Sequence, residues 1–475
     1  MQNTIIAIYM LGMIAVGLAL RSRIRRTSDL LVAGGKLGIV LTTATFAAIQ
    51  LGAGVIMGGS ELATQAGAWA GMWAGLGCGG GLILAGFVSA TKMRRRGSFV
   101  PLDYFAERYG EIRAVRIWAF VANVPSLLGA LVIQLMAAGT ISELFGLSYA
   151  QGVWASAFVV MVYSMLGGMW GAVVTDLIQL AIIVVGIPAL ALTTLDRVAD
   201  QGIELGSLLA VDFIPEGMTS KAVFNILPFL LMISVSYDAC MRFQSAKSAA
   251  TAKWGAIVGG VIVILISFCV GIVGAAGEAL APELEDKAVL PHMIQSNLDP
   301  LWAGIVLAAL LAASMSTANS LAVSISGSCV RDFYNKVLHP TADLDQLPLS
   351  KPLARVAIAL AVLSGAIIAL FTTDILYTMI IFATPYMASM FVPLLGGILW
   401  PGATRRAALA AMWVGGTIGL AALLVALGQH LLGLLTVDEY WIDWSLLLAY
   451  VCSATAFIAV GRHRPTPRPN SAGPD

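Results

Sequence analysis

Residues 312–334 read AASMSTANSLAVSISGSCVRDFY, and this stretch decides the fold. It has the length of a membrane helix, yet it carries a line of hydroxyls where lipid-facing apolar side chains would be expected. At helical spacing Ala313, Ser316, Thr317, Ser320 and Ser324 fall on one face. That face offers several neutral oxygens and no full charge, which is the surface a hard monovalent cation needs once it has shed its water. Small hydroxylated residues also let helices pack closely, so the stretch alone admits both readings.

Composition settles the class around it. The chain has 475 residues, is 59% hydrophobic and only 11% charged, with a mean hydropathy of +0.88. Too little polar surface exists to cover a soluble core, so the chain reads as an all-α polytopic membrane protein. Spans of about 20 apolar residues fit at 3–20, 38–60, 69–91, 117–140, 148–167, 171–194, 223–241, 255–278, 300–328, 354–372, 375–399, 407–428 and 441–460, about thirteen transmembrane helices. They form one transmembrane domain over 1–461, followed by a short Pro-rich tail at 462–475.

Charge gives the orientation. Nearly every Lys and Arg lies in alternate loops, at 21–36, 92–116, 242–253, 331–355, 405–406 and 462–468. Only Arg197, Lys221 and Lys287 fall in the opposite set, which is acidic at 196–216 and 278–286. The positive-inside rule then places the N-terminus outside and the C-terminus in the cytoplasm of a multi-pass plasma (inner) membrane protein. The first apolar run lacks a basic lead and a small-residue cleavage site, so it reads as an anchor and not a secretory signal. The net charge of +1 gives no reason to expect a nucleic-acid partner. The five cysteines and four histidines are scattered, without metal-ligand or nucleophile–base spacing. No catalytic residue and no enzyme activity is expected.

Three spans depart from plain anchors. The second, LGIVLTTATFAAIQLGAGVIMGG (37–59), has Gln50, Gly52 and Gly54 at its middle. It reads either as a helix broken at the midplane, with freed carbonyls turned to a site, or as a glycine-rich packing face with one satisfied amide. The seventh, NILPFLLMISVSYDACMRFQSAKS (225–248), is interrupted at 234–238. Asp238 there either pairs with Arg242 across one turn or marks, with it, the end of the span. In the sixth, Asp176 lies about one turn inside the membrane, as a site acid or as a helix N-terminal acid favoured by the macrodipole. The two interrupted spans are five apart, the spacing that points to inverted repeats around a midplane site. The repeats would cover about 37–194 and 222–400, a 5+5 core with one extra N-terminal and two extra C-terminal helices.

Five stretches carry a further resemblance: GGMWGAVVTDLIQ (167–179), RFQSAKS (242–248), AASMSTANS with its trailing RDFY (312–334), PLLGGILWPGATRRAA (393–408) and PLDYFAERYG (101–110). In their order, spacing and membrane side the chain resembles the sodium:solute symporter family. The resemblance implies a leucine-transporter-like fold and sodium-driven uptake by alternating access. It implies a sodium site built from first-core-helix carbonyls at Ala48 and Leu51 and from Ala313, Ser316 and Thr317 of the eighth. It further implies an inner ion position at Asp176, Asn319 and Ser320, where Asn319 replaces the smaller hydroxylated residue of such sites. Ser314 points away and packs.

The coupling ion is then sodium, the only metal expected, and no cofactor is implied. The partners are sodium, a small-molecule solute and the lipid bilayer. Candidate solute-binding groups are Gln50, Trp69, Asn123, Ser126, Ser236, Tyr237 and Asp238, with an organic anion or zwitterion, such as a carboxylate or amino acid, as the lead. Two other functions share these residues. One is a proton-coupled carrier using Asp176 and Asp238. The other is a membrane sensor that binds without transport, for which the tail is too short to be a catalytic domain.

Overall fold

The computed structural model describes residues 2–209, 212–284, 286–372, 375–432 and 439–462. The tail expected at 462–475 lies outside them from residue 463 onward. Helices occupy each apolar segment of the sequence. Among the described residues, eight are long and apolar enough to cross a membrane, and up to ten if each of two bent pairs is one span. The protein is therefore an all-helical, multi-pass membrane protein.

The bent pairs are the two interrupted spans. Ile39–Gln50 and Ala53–Ala66 meet at 50°, and Thr219–Ile233 and Tyr237–Ser245 meet at 42°. The half-helix after each break runs past the predicted span, so the second continues to Ala66 and the seventh to Ser245. The predicted fifth and sixth spans form one run, Tyr149–Asp200, interrupted at Gly168 (φ 46°, ψ −142°). A β-carbon at Gly168 would lie 2.6 Å from the Leu30 carbonyl, so both conformation and contact require glycine there.

Pro300–Gly327, the helix of the opening stretch, runs on through a π-helical segment, Ser328–Leu338. Of its most apolar window 83% is buried, against 39% for the last two spans. Its hydroxyls thus face protein on all sides, and the C-terminal helices take the lipid-facing role.

Loops of alternate spans gather at opposite ends. At one end Lys92 donates to the Ile398 carbonyl, Arg94 to that of Ala246, Arg108 to those of Gly397 and Pro401, and Lys351 to that of Ile24. There too Leu37 and Ala246 form a parallel bridge, joining the start of the first broken span to the end of the second. At the other end Trp69 and Trp73 donate to the carbonyls of Leu209 and Phe213, and Asn297 to Thr194. The basic loops are thus one physical surface.

Glycines set the helix spacing in between. Gly71 and Gly271 sit so close that a β-carbon on either would collide with the facing backbone, the small-residue contact by which membrane helices approach. Replacing Gly271 by valine is expected to cost at least about 1–3 kcal/mol through overpacking. The check is a loss of monodisperse protein in size-exclusion chromatography after detergent extraction.

Candidate functional site

The first break is made by Gln50-Leu51-Gly52-Ala53. Leu51 (φ −83°, ψ 31°) leaves the helix and Gly52 (φ −70°, ψ −176°) is extended before the second half begins. Helix C-termini leave carbonyls without intrahelical donors, and here these come at Ala48 to Leu51. Gly52 is needed for approach and not for its torsions. A β-carbon there would stand 2.9 Å from Gln134 Oε1 and 3.1 Å from Thr317 Oγ1.

The hydroxyl-lined helix Pro300–Gly327 crosses this break. Thr317 Oγ1 lies 3.0 Å from the Ala313 carbonyl and 3.4 Å from that of Ile49, and Ser316 Oγ lies 3.0 Å from the Ala313 carbonyl. Neighbouring oxygens on an octahedron about 2.4 Å around a hard cation lie about 3.4 Å apart. Thr317 Oγ1 and the Ile49 carbonyl, from different spans, are at that spacing, and the Ala313 carbonyl and the Ser316 hydroxyl adjoin them through bonds within the helix. Ala48 and Leu51 sit at the opened turn, while the carbonyl facing Thr317 is that of Ile49, between them.

A second cluster lies behind it. Asp176 Oδ2 accepts from Thr45 Oγ1 at 2.6 Å, and Ser316 is beside the same carboxylate. Asp176 Oδ1, both amide atoms of Asn319 and the Ser320 hydroxyl are buried and make no hydrogen bond among the described residues. So many unpaired polar atoms are costly inside a membrane protein. Arg242 donates to the Thr45 carbonyl at 3.3 Å, to Thr45 Oγ1 at 3.2 Å and to the Asp238 carbonyl at 3.2 Å. The side-chain pairing of Asp238 with Arg242 read as one option in the sequence is absent. The guanidinium instead reaches across to Thr45 of Ile39–Gln50.

A cavity of about 170 Å³ opens beside the first cluster. Gln50, Ser126, Asp238 and Thr317 line it. Trp69, Asn123, Ser236 and Tyr237 do not. The Trp69 indole packs on Phe213 and Phe268 and bonds the 209 carbonyl. Asn123 reaches Ser328, Ser236 caps the half-helix by accepting from Ala239, and the Tyr237 hydroxyl donates to Asp332. Each is spent on a local structural bond that sequence does not display.

Sequence reasoning missed Gln134. Its Oε1 accepts from the Ala53 amide at 3.1 Å, satisfying the first donor of the half-helix after the break, and its side chain lines the cavity. An amide in the middle of an otherwise apolar span was the available signal.

Residues 30–415 match the sodium:solute symporter family. The chain is 25% identical to the sodium/pantothenate symporter of Escherichia coli (strain K12) over 67% of both chains. It is 23% identical to that organism's sodium/proline symporter, over 86% of this chain and 85% of the relative. It is 26% identical to the high-affinity choline transporter 1 of Caenorhabditis elegans, over 82% of this chain and 70% of the relative. Its fold is shared with a sodium-coupled sialic acid symporter in a substrate-bound outward-open state, at TM-score 0.75 and 15% identity over 97% of both chains. It is shared more distantly with MhsT in complex with L-phenylalanine, at TM-score 0.55 and 16% identity over 89% of this chain and 97% of that one. The family match runs from before the first broken span to beyond the hydroxyl-lined helix, and on it the chain belongs to the sodium:solute symporter family.

Proposed function

We propose that this protein imports a small organic solute by coupling it to sodium entry through alternating access. The observation that carries the reading is the meeting of the Ser316 and Thr317 hydroxyls with the Ile49 and Ala313 carbonyls at a helix break. Neutral oxygens alone let sodium exchange its hydration shell while keeping its charge available to the membrane field. That charge is worth about 2.3 kcal/mol per 100 mV, in addition to the sodium gradient. The ion bridges a broken helix and an unbroken one, so it favours the conformation in which they touch; this differential affinity is what coupling requires.

On this reading sodium is bound by carbonyls of the first core helix near Ala48, Ile49 and Leu51 with Ala313, Ser316 and Thr317. Asp176, Asn319 and Ser320 form an inner ion position, supported by their unpartnered atoms. The solute occupies the cavity lined by Gln50, Ser126, Gln134 and Asp238. Thirteen spans in a 5+5 inverted-repeat core, with one helix before it and two after, place the basic end in the cytoplasm and the N-terminus outside. The family is one of transporters, and no cofactor beyond the coupling ion is invoked.

The test is uptake into proteoliposomes with the purified chain. Accumulation of solute is expected only under an inward sodium gradient, with collapse when sodium is replaced by potassium. Uptake driven by a pH gradient in sodium-free buffer would transfer the coupling to protons, with Asp176 as the intramembrane acid.

A further inference from the structure

The cavity beside Thr317 carries one charged group on its wall. Among the described residues lining it Asp238 is the only carboxylate, and no Lys, Arg or His joins it. Its carboxylate makes no hydrogen bond or ion pair with another described residue. Arg242, one turn away, is bonded to the Asp238 backbone carbonyl and to Thr45, whose hydroxyl donates in turn to Asp176. Arg242 thus lies near both carboxylates, with its bonds going to Thr45 and to the Asp238 backbone and none to the Asp238 side chain; it does not line the cavity, so the Asp238 carboxylate is the charge on the cavity wall.

The remaining walls are neutral. Gln50, Ser126 and Asn225 supply hydrogen-bonding groups, and Phe229, Met232 and Met387 supply an aromatic ring and two thioethers. Such faces suit an organic cation. A bare organic carboxylate entering here would meet a like charge with no cation on the walls to offset it, in surroundings where ionic interactions are only weakly screened.

We propose that the transported solute carries a positively charged nitrogen which the Asp238 carboxylate receives. The solute is thus a zwitterion or small organic cation that fits about 170 Å³, and a simple organic anion is excluded. A zwitterion's own carboxylate lies toward the Gln50–Thr317 wall, on the side of the sodium ligands. This inference rests on the proposed transport reading in taking the cavity as the solute site.

The experiment is a thermal-shift screen of the full-length purified protein, in sodium and in potassium buffer, with two panels. One holds the proteinogenic amino acids, choline and glycine betaine; the other holds pantothenate, lactate, pyruvate and sialic acid. A compound bound only by the folded state raises the unfolding midpoint by mass action. At least one compound of the first panel is expected to stabilise the protein, and none of the second. Asp238→Asn is expected to weaken that compound's apparent affinity about tenfold to a hundredfold, the loss of one charge-assisted contact, and Asp238→Glu to retain part of it. Stabilisation by a carboxylate of the second panel, silence of the whole first panel, or an undiminished affinity in Asp238→Asn overturns the proposal. If Asp238→Asn fails to fold, the ranking of the two panels on the unaltered protein decides. An amine compound that stabilises equally in potassium leaves the Asp238 assignment standing and removes sodium coupling. A sodium-dependent shift by a carboxylate does the reverse.

Discussion

Thr317→Ala raises the sodium concentration needed for half-maximal uptake by about tenfold to a hundredfold. Among the described residues the threonine hydroxyl is the one side-chain oxygen bonded to both the Ala313 and the Ile49 carbonyls, so it joins the two spans that the proposed ion bridges. A hydrogen-bond-strength interaction with a full charge contributes about 1.5–3 kcal/mol, and each 1.4 kcal/mol is about tenfold in affinity. Thr317→Ser keeps the oxygen and is expected to stay within a few-fold of the parent. Ser314→Ala serves as the comparison on the same helix. Its hydroxyl donates back to the Leu310 carbonyl, away from the break, and its removal leaves the sodium dependence unchanged. The measurement is initial uptake rate against sodium concentration in proteoliposomes. A Thr317→Ala curve superposing on the parent would remove this residue from the ion site.

The second large effect is on stability. Arg116, 2% exposed, donates to Glu111 at 2.8 and 3.0 Å, to Asp332 at 2.8 Å and to Asp103 at 3.0 Å. Asp332 is fully buried and also accepts from the Tyr237 hydroxyl at 2.9 Å, while Asp103 holds Arg331 at 3.2 Å. One guanidinium thus ties together the short helix Pro101–Tyr109, the start of Arg113–Glu143 and the π-helical Ser328–Leu338. Through Asp332 and Tyr237 it also reaches the half-helix that carries Asp238. Arg116→Met keeps an unbranched apolar stem but removes the guanidinium and strands the Asp332 carboxylate without its cation. Breaking a buried ion pair from one side costs about 3–5 kcal/mol, read as a lowered unfolding midpoint of the purified protein. Adding Asp332→Asn removes the stranded charge and is expected to recover part of the loss, a coupling that a double-mutant cycle measures directly. Arg116→Lys recovers little, because three donors on one nitrogen cannot reproduce four bonds to three carboxylates spread around a planar guanidinium. Strictly additive losses would show that Arg116 and Asp332 do not act as a pair.

These two sites differ in how openly the sequence displayed them. The hydroxyl row holding Ser316 and Thr317 was legible because hydroxyls at helical spacing are out of place in an apolar span, while their approach to the Ile49 carbonyl was not. The break at Gln50–Gly52 was legible as one of two options, since glycine and an amide at midspan allow either a break or a packing face. The Arg116 cluster was not legible. Its bonded members lie up to 228 positions apart, and each looks like an ordinary charge at a span end. Gln134 and Thr45 escaped for the same reason, since their partners come from other spans. The solute candidates divided on local bonds. Ser236 and Asn123 have the right chemistry, but one is used as a helix cap and the other reaches Ser328.

Sequence alone placed this chain in a membrane and showed where its helices run, which loops are basic and which helix carries a row of hydroxyls. Those properties follow from local hydropathy, charge and helical period, each readable within a turn or a span. Only the tertiary structure decided that Ile49 is the carbonyl facing Thr317, and that Arg242 reaches Thr45 and not the Asp238 side chain. It alone left Asp238 as the carboxylate facing the cavity. These are contacts between spans far apart in the chain, and their partners are fixed by packing geometry that no periodicity encodes.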